Sequence, residues 1–261
     1  MTESTSTARP IRDEFRRVLD QLRGLTDGVG VLCIECKEDI YAHGAPRHDD
    51  IDRCQRCGTA RARERRIVKA LLDVPEEFRG KGFDKYQVPP GSREALEVAS
   101  NWTRAHGYGL LLWSTECGTG KSHLAFALAQ AAIMEGALVE AHSMGALLAS
   151  MKATFSGRRG PTLEDILDRM ERADVVVLDD LGVEKVTDWV REQLYEIVDI
   201  RHRRRRPLIV TSNFGPTELA SRIGDIAGDR IVSRLVAMSR VVEVQGDDYR
   251  MRVAMSRARA P

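Results

Sequence analysis

The residues best suited to chemistry form a glycine-rich run, Gly-Thr-Gly-Lys-Ser, at residues 118–122. An apolar run precedes it and a helical pattern follows it, so the glycines let backbone N–H groups converge on an anion at a helix N-terminus. The Lys121 ammonium adds positive charge for phosphate oxygens, and the Ser122 hydroxyl is placed to coordinate Mg²⁺. This arrangement predicts a loop that binds nucleotide phosphates. Its expected residues are Glu116, Cys117, Gly118, Thr119, Gly120, Lys121, Ser122 and His123.

Polar residues end two further apolar runs. Asp179 and Asp180 follow Val-Val-Val-Leu, and Asn213 ends the run Leu-Ile-Val-Thr-Ser-Asn. The carboxyl ends of parallel strands meet at one edge of a sheet, beside the phosphate loop. We expect Asp179 to hold Mg²⁺ through water, Asp180 to orient or deprotonate an attacking water, and Asn213 to contact the γ-phosphate or that water. The three elements in this order predict an ATPase that binds ATP and Mg²⁺ and releases ADP.

Four cysteines fall into two closely spaced pairs. Each pair can direct two thiolates at one tetrahedral ion, so the spacing predicts a structural zinc site. The metal would supply the folding energy of a module too small to bury a core. Buried or redox-active cysteines are the alternative, and His43 or His48 between the pairs could replace one thiolate. The predicted zinc ligands are Cys33, Cys36, Cys54 and Cys57.

The overall composition narrows the classes of protein. The 261 residues include 40 Lys and Arg against 39 Asp and Glu, a net charge of +1, which excludes a globally basic nucleic-acid coat. The most apolar stretch, residues 124–133, is too short to span a bilayer, and the polar N-terminus resembles no secretion signal. We therefore expect a cytoplasmic protein, in which paired cysteines bind metal more often than they form disulfides.

The elements that must position these residues alternate along the chain. Apolar runs predict strands at 110–113, 138–141, 175–178 and 208–210. Patterns with helical spacing separate them, which is typical of βαβ units. The sequence therefore predicts an α/β fold: a P-loop parallel sheet covered by helices and preceded by a small zinc-binding module.

Four segments are expected along the chain. They are a disordered N-terminus at 1–10, a partner-binding part at 11–73 with an amphipathic helix, the zinc module and an Arg-rich helix, an ATPase domain at 74–250, and a basic disordered tail at 251–261. The Pro- and Gly-rich stretch 74–91 is interpreted as an extended connector. The basic run 53–69 either contacts DNA phosphate or an acidic partner surface, or forms a solvated helix face. The run 201–206 is expected at a helix C-terminus, where cations suit the helix dipole, with DNA contact as the alternative.

Three motifs resemble those of a known family. GTGKSHLAFALA, VVVLDDLGVEKVTDW and RRPLIVTSNF are similar to the phosphate loop, acidic strand and sensor-1 strand of AAA+ ATPases. Within these, the DnaC/DnaI-type helicase loaders of bacteria and phages are the most similar subgroup, with the IstB transposition helpers as kin. The resemblance covers residues 74–250 and implies an arginine finger that reaches a neighbouring subunit's ATP. Its position matches Arg234, with Arg230 as second choice. Arg250 falls near the place of a sensor-2 arginine, but the usual helical lid of the family is missing or very short, so Arg250 is left unassigned.

The resemblance also implies a function. A loader of this family binds the replicative helicase, a DnaB-type hexamer, through its N-terminal part and helps place it on single-stranded DNA. It self-associates through ATP, and hydrolysis acts as the release switch. One alternative is an IstB-like helper acting with a transposase on duplex DNA. Another is a nucleotide-gated adaptor with little hydrolysis. Two features would favour it: Thr115 at the first glycine position of the loop, and the short side chain of Asp180.

Overall fold

The structure is a computed structural model that describes residues 63, 66–156, 160–183 and 185–258. The chain divides into two compact units, Met1–Val68 and Lys69–Pro261. Nearly all of the first unit lies outside the described residues, and with it the expected disordered N-terminus and amphipathic helix. The zinc module stays a prediction, because the described residues also do not include Cys33, Cys36, Cys54 and Cys57.

Among the described residues of the second unit, five strands form one sheet in which all neighbours run parallel. They are β1 (Gly109–Trp113), β2 (Val139–Ser143), β3 (Val175–Leu181), β4 (Leu208–Ser212) and β5 (Ser239–Glu243). Their order is β2-β3-β4-β1-β5, so β4 lies between β3 and β1. The three central strands are almost entirely buried, as a parallel sheet covered on both faces requires. The predicted α/β fold is confirmed.

Helices cover the two faces of this sheet. From residue 93 onward they are α1 (Arg93–Asn101), α2 (Lys121–Met134), α3 (Met144–Ala153), α4 (Leu163–Arg172), α5 (Asp188–Arg203), α6 (Pro216–Ile223), α7 (Asp225–Ala237) and α8 (Tyr249–Ala258). Successive β1 side chains pack on opposite faces of the sheet. Leu110 and Leu112 belong to the apolar cluster with α1 and α2, and Leu111 belongs to the cluster with α3 to α7. No helix in the described part of the chain is long and apolar enough to cross a membrane.

Residues 74–91, which we call the cover segment, differ from the extended connector that the sequence predicts. Two 3-10 helices, Glu76–Phe78 and Phe83–Lys85, fold this stretch onto α2. The Phe78 ring stacks on Phe126 of α2 with the ring centroids 4.6 Å apart. Because α2 is apolar around most of its circumference, the sheet alone cannot bury it, and the cover segment supplies the second surface.

The C-terminal residues also differ from the prediction. The sequence predicts a disordered tail at 251–261, whereas helix α8 extends through most of it. The carboxylate of Asp248 accepts hydrogen bonds from the main-chain N–H groups of Arg250, at 2.8 Å, and Met251, at 3.2 Å. This cap satisfies donors that an isolated first turn would leave unpaired, which favours the helix over a disordered chain.

Two arginines of the basic run 201–206, at the end of α5, form hydrogen bonds within the fold. Arg201 has no exposed surface and is held by main-chain carbonyl oxygens instead of a carboxylate. Its guanidinium donates to the carbonyls of Met170, Ala173, Asp174 and Pro207. Arg206 donates to the carbonyls of Arg172 and Ala173. These two arginines join the end of α4 to the amino ends of β3 and β4, so their charge is engaged by the protein itself.

Candidate active site

The predicted site residues meet at one edge of the sheet. The phosphate loop follows β1, the two acids end β3, and Asn213 follows β4, so these residues lie at the carboxyl ends of neighbouring strands. A cavity of about 630 Å³ opens there. Loop residues 117–123, Asp180 and Asn213 line it together with the cover segment and with Tyr249 and Arg250 of α8.

The phosphate loop has the conformation that its glycines permit. Gly118 and Gly120 have φ values of +69° and +97°, where a side chain would be strained. A Cβ at Gly120 would also lie 2.5 Å from the Tyr86 ring. No side chain among the described residues caps α2 at Lys121, so its first N–H groups are available to phosphate. Thr115 does not have a positive φ, so a residue other than glycine fits the loop entrance without strain.

The Lys121 ammonium lies inside this loop. Its side-chain Nζ donates to the Glu116 carbonyl at 2.9 Å, and the residue is 5% exposed. Burial lowers the pKa of Lys121, while the nearby Cys117, Asp180 and Asp179 raise it. A phosphate group in the cavity would add negative charge and further favour the charged ammonium.

The two predicted magnesium ligands are neighbours. Asp179 is 5% exposed, its carboxyl accepts a 2.6 Å hydrogen bond from the Thr211 hydroxyl, and Ser122 lies close enough to lower its pKa. Burial raises the pKa of Asp179 to about 6, against the lowering effect of these two hydroxyl groups. Hydroxyl and carboxylate oxygens are the ligands that Mg²⁺ prefers, and a cation would offset the burial of the charge. The donor set therefore fits Mg²⁺.

An irregularity in β3 turns the second acid toward the cavity. The pairing of β3 with β4 shifts register between Leu178 and Leu181, and Asp180 has a φ of +61°. Its side chain is exposed and lines the cavity, as does Asn213. The structure thus brings together Lys121, Asp180 and Asn213, three of the residues expected to act in catalysis.

The fourth expected catalytic residue, Arg234, is not among the residues that line this cavity. It lies on α7, where its Nε is 3.3 Å from the Asp199 carboxylate and its Nη2 donates to the Tyr195 hydroxyl at 3.1 Å. Arg230, one turn earlier, is exposed, and its side chain has no hydrogen bond or ion pair with any described residue. The fold therefore engages Arg234 within its own chain and leaves Arg230 accessible.

Sequence reasoning missed the residues that close the cavity. The Tyr86 hydroxyl donates to the Thr119 carbonyl at 3.0 Å, and the Tyr249 N–H donates to the Gly118 carbonyl at 3.1 Å. Arg250 lines the cavity as well. No motif marks Tyr86 or Tyr249, whereas Arg250 is named from the sequence without an assigned role. The available signal is indirect: an all-round apolar α2 predicts that some other part of the chain must cover it.

Comparison with known proteins gives the family. Residues 93–257 match the model of the IstB-like ATP binding protein. The replicative helicase loader DnaC of Buchnera aphidicola subsp. Acyrthosiphon pisum is 26% identical over 184 residues, which is 69% of this chain and 73% of the relative. The phage-like element PBSX protein XkdC of Bacillus subtilis is 25% identical over 248 residues, 86% of this chain and 89% of XkdC.

A solved structure supports the same relationship. The crystal structure of the DnaC helicase loader superimposes with a TM-score of 0.56 at 25% identity, covering 66% of this chain and all of that one (100%). The predicted resemblance to AAA+ proteins of the DnaC type is confirmed. On the family match, which spans most of the second unit, the chain belongs to the family of IstB-like ATP binding proteins.

Proposed function

We propose that this protein binds and slowly hydrolyses Mg²⁺-ATP and uses this cycle to help load a replicative helicase onto single-stranded DNA. The observation that carries the nucleotide part is the position of Ser122 near the Asp179 carboxyl, at the uncapped start of α2 that lines the cavity. It sets two oxygen ligands for a cation next to an anion-binding loop, as a metal-bound nucleoside triphosphate requires. The loading part is supported by the likeness to proteins named replicative helicase loader.

Each residue of the cavity has a role in this proposal. Lys121 and the first N–H groups of α2 bind the β- and γ-phosphates, while Ser122 and Asp179 hold Mg²⁺, Asp179 through water. Bound Mg²⁺ would neutralise charge on the phosphates. Asp180 orients or deprotonates the attacking water, and Asn213 contacts that water or the γ-phosphate. The short arm of Asp180 favours slow turnover, which suits a switch.

Self-association would complete the site with an arginine from a neighbouring subunit. The family resemblance assigns this finger to Arg234. Its contacts with Asp199 and Tyr195 would have to break for it to reach another subunit, whereas Arg230 is already accessible. We therefore keep both arginines as candidates. Either one makes hydrolysis depend on assembly.

The N-terminal part is proposed to bind the helicase. In this proposal residues 11–73 hold the partner, with zinc on the four cysteines 33, 36, 54 and 57, and residues 74–250 with α8 form the ATPase. The metal would fix the shape of a surface that the short segment could not maintain alone.

An aromatic surface supports binding of single-stranded DNA. Phe155 is 67% exposed and makes an edge-to-face contact with Trp189 at 6.1 Å between ring centroids. The Lys152 ammonium lies 5.5 Å from the Trp189 ring. Exposed rings stack with bases, and a nearby ammonium attracts phosphate, so this surface would add stacking to the phosphate contacts expected from the sequence.

A pull-down with the purified hexameric helicase of the same cell or phage tests the loading role. We expect the wild-type chain to retain the helicase in the presence of ATP. The Lys121→Ala variant should bind no nucleotide and lose the ATP-dependent part of the helicase binding. Lys185→Ala should keep it, since Lys185 is exposed and does not line the cavity. No association of wild-type protein with the helicase in ATP would remove the loader function.

The family match also favours a second candidate, a helper ATPase that acts with a transposase on duplex DNA. Retention of a transposase on duplex DNA, with no retention of helicase, would select that function. Steady-state ATPase assays with and without single-stranded DNA distinguish both from an adaptor that binds nucleotide but barely hydrolyses it.

A further inference from the structure

One face of α2 holds the cover segment in place. His123, Phe126 and Gln130 recur at helical spacing along the helix that starts in the phosphate loop, and each contacts the cover segment. His123 Nε2 is 2.9 Å from the Gly82 carbonyl, and the Phe126 ring stacks on Phe78. This row of side chains links the helix that begins in the phosphate loop to the part of the cover segment that lines the cavity.

Gln130 makes the largest number of these contacts. It is 8% exposed, and its Oε1 accepts a 2.8 Å hydrogen bond from the Gly80 N–H. Its Nε2 lies within donating distance of the carbonyls of Phe78, at 3.0 Å, Lys81, at 3.3 Å, and Phe126, at 3.1 Å. Both ends of the amide are therefore used, and three of the four partners are main-chain groups of the cover segment.

At residues 79–81 the other described contacts of the cover segment are local, such as those of the Arg79 guanidinium with the carbonyls of Leu72 and Val74. Arg79, Gly80 and Lys81 are exposed, and Gly80 has a φ of +66°. The main-chain hydrogen bonds of this stretch are short-range turns, such as that from the Lys81 N–H to the Phe78 carbonyl. A turn of this kind fixes local shape but not placement against the rest of the protein. Placement therefore depends on the side chains of α2.

The same stretch lines the nucleotide cavity. Phe78, Arg79, Gly80 and Lys81 are all part of its lining, together with the phosphate loop. Because the loop takes the phosphates, the ribose and base of a nucleotide must extend toward the remaining lining. Gln130 itself does not line the cavity, so its influence on a ligand passes through the cover segment.

We propose that Gln130 is a positioning residue that sets the base-binding side of the cavity and thereby selects a nucleoside triphosphate over triphosphate alone. This inference rests on the proposed function, since it concerns the same nucleotide. Replacing the amide by an apolar side chain leaves the Gly80 N–H and the carbonyls of Phe78 and Lys81 without their partner. Residues 78–81 of the cover segment then lose their position, while Tyr86, which bonds to the phosphate loop at Thr119, and the loop itself keep theirs.

The test measures binding to the full chain of three probes: ATP, GTP and inorganic tripolyphosphate. For Gln130→Met we expect ATP affinity to fall about tenfold, the size of roughly one or two lost hydrogen bonds. Tripolyphosphate affinity should not change, and the preference between ATP and GTP should shrink. Gln130→Asn, with a shorter amide, should show a smaller loss of the same kind and keeps the test available if the Met variant does not fold.

Gln193→Leu is the matched control, because Gln193 is a helical glutamine 4% exposed on α5, away from the residues that line the cavity. It should leave the affinities for all three probes as in the wild type. Equal losses for ATP and tripolyphosphate in the Gln130 variants, or no loss for either, would overturn the positioning role. Wild-type protein that bound neither probe would instead overturn the proposed nucleotide function on which the role rests.

Discussion

The Thr211 hydroxyl of β4 donates a 2.6 Å hydrogen bond to the Asp179 carboxylate of β3. The Thr211 hydroxyl oxygen also accepts a 2.9 Å hydrogen bond from the N–H of Asp180. One side chain on the neighbouring strand thus holds both acids of the site. It orients the buried carboxylate, and it stabilises the main chain where Asp180 takes a positive φ that L-residues seldom adopt.

Thr211→Val should therefore impair hydrolysis more than binding. Valine has nearly the same shape as threonine but can neither donate to Asp179 nor accept from Asp180. We expect turnover of Mg²⁺-ATP to fall about 10- to 100-fold, as small misplacements of catalytic groups do. Nucleotide affinity without Mg²⁺ should not change, and a Mg²⁺ titration of nucleotide binding should show weaker dependence on the metal.

Thr211→Ser is the control for this variant, since it keeps the hydroxyl and should retain most of the activity. Far-ultraviolet circular dichroism below the unfolding transition would check that both proteins are folded. Equal turnover in the valine variant and the wild type would show that the hydroxyl does not position the acids.

The finger assignment can be tested by comparing two variants of α7. Arg230→Ala and Arg234→Ala should both bind nucleotide nearly normally, and the one that removes the finger should lose hydrolysis in the assembled state. Assembly is followed by light scattering with ATP, and turnover is measured at the same protein concentrations. Because Arg234 contacts Asp199 and Tyr195, its variant should also unfold at a lower denaturant concentration, whereas Arg230→Ala should not.

Loss of turnover only in Arg230→Ala would move the finger from Arg234 to Arg230. Unchanged turnover in both variants would exclude a finger from either position. Denaturation midpoints separate these results from a simple loss of folded protein.

The buried carboxyl of Asp179 makes stability depend on pH. Its pKa is raised from 3.8 to about 6 by burial, so the folded protein keeps a proton that the unfolded chain has lost. Stability without Mg²⁺ should therefore fall as pH rises from about 4 to about 6. At 1.36 kcal/mol per pKa unit, Asp179→Asn should raise the free energy of unfolding at pH 7 by up to about 3 kcal/mol.

Urea titrations of metal-free protein between pH 3 and pH 7 measure this effect. The difference between the two proteins should shrink as pH falls and vanish below about pH 3, where the carboxyl is uncharged in both the folded and the unfolded wild-type chain. Asp165→Asn is the control with the opposite sign, because hydrogen bonds from Thr162 lower the pKa of Asp165. An Asp179→Asn protein less stable than wild type at pH 7 would contradict the assigned shift.

The sequence predicts those site residues whose positions are set by a local pattern, and misses those whose positions are set by long-range contacts. The phosphate loop, Asp179, Asp180 and Asn213 were predictable because each belongs to a local pattern and parallel strands bring their ends together. Tyr86 and Tyr249 were not, because their places depend on contacts with the phosphate loop, far away along the chain. The contacts of Arg234 within its own chain were not predictable either, because a sequence pattern for an arginine finger does not show that Asp199 of another helix lies beside it.

Arg201 shows the same dependence and gives the last prediction. Sequence places it at the start of an exposed-looking basic run, yet it is fully buried and donates to four main-chain carbonyls at the junction of α4, β3 and β4. Arg201→Met would fill similar volume but leave these acceptors unpaired, which we expect to cost about 3 kcal/mol or more. Arg203→Ala, two residues on, removes a largely exposed ion pair with Asp199 and should cost at most about 1 kcal/mol. Chemical denaturation measures both changes. Similar small losses would mean that the buried guanidinium contributes no more than its exposed neighbour, and that the unpaired carbonyls find water.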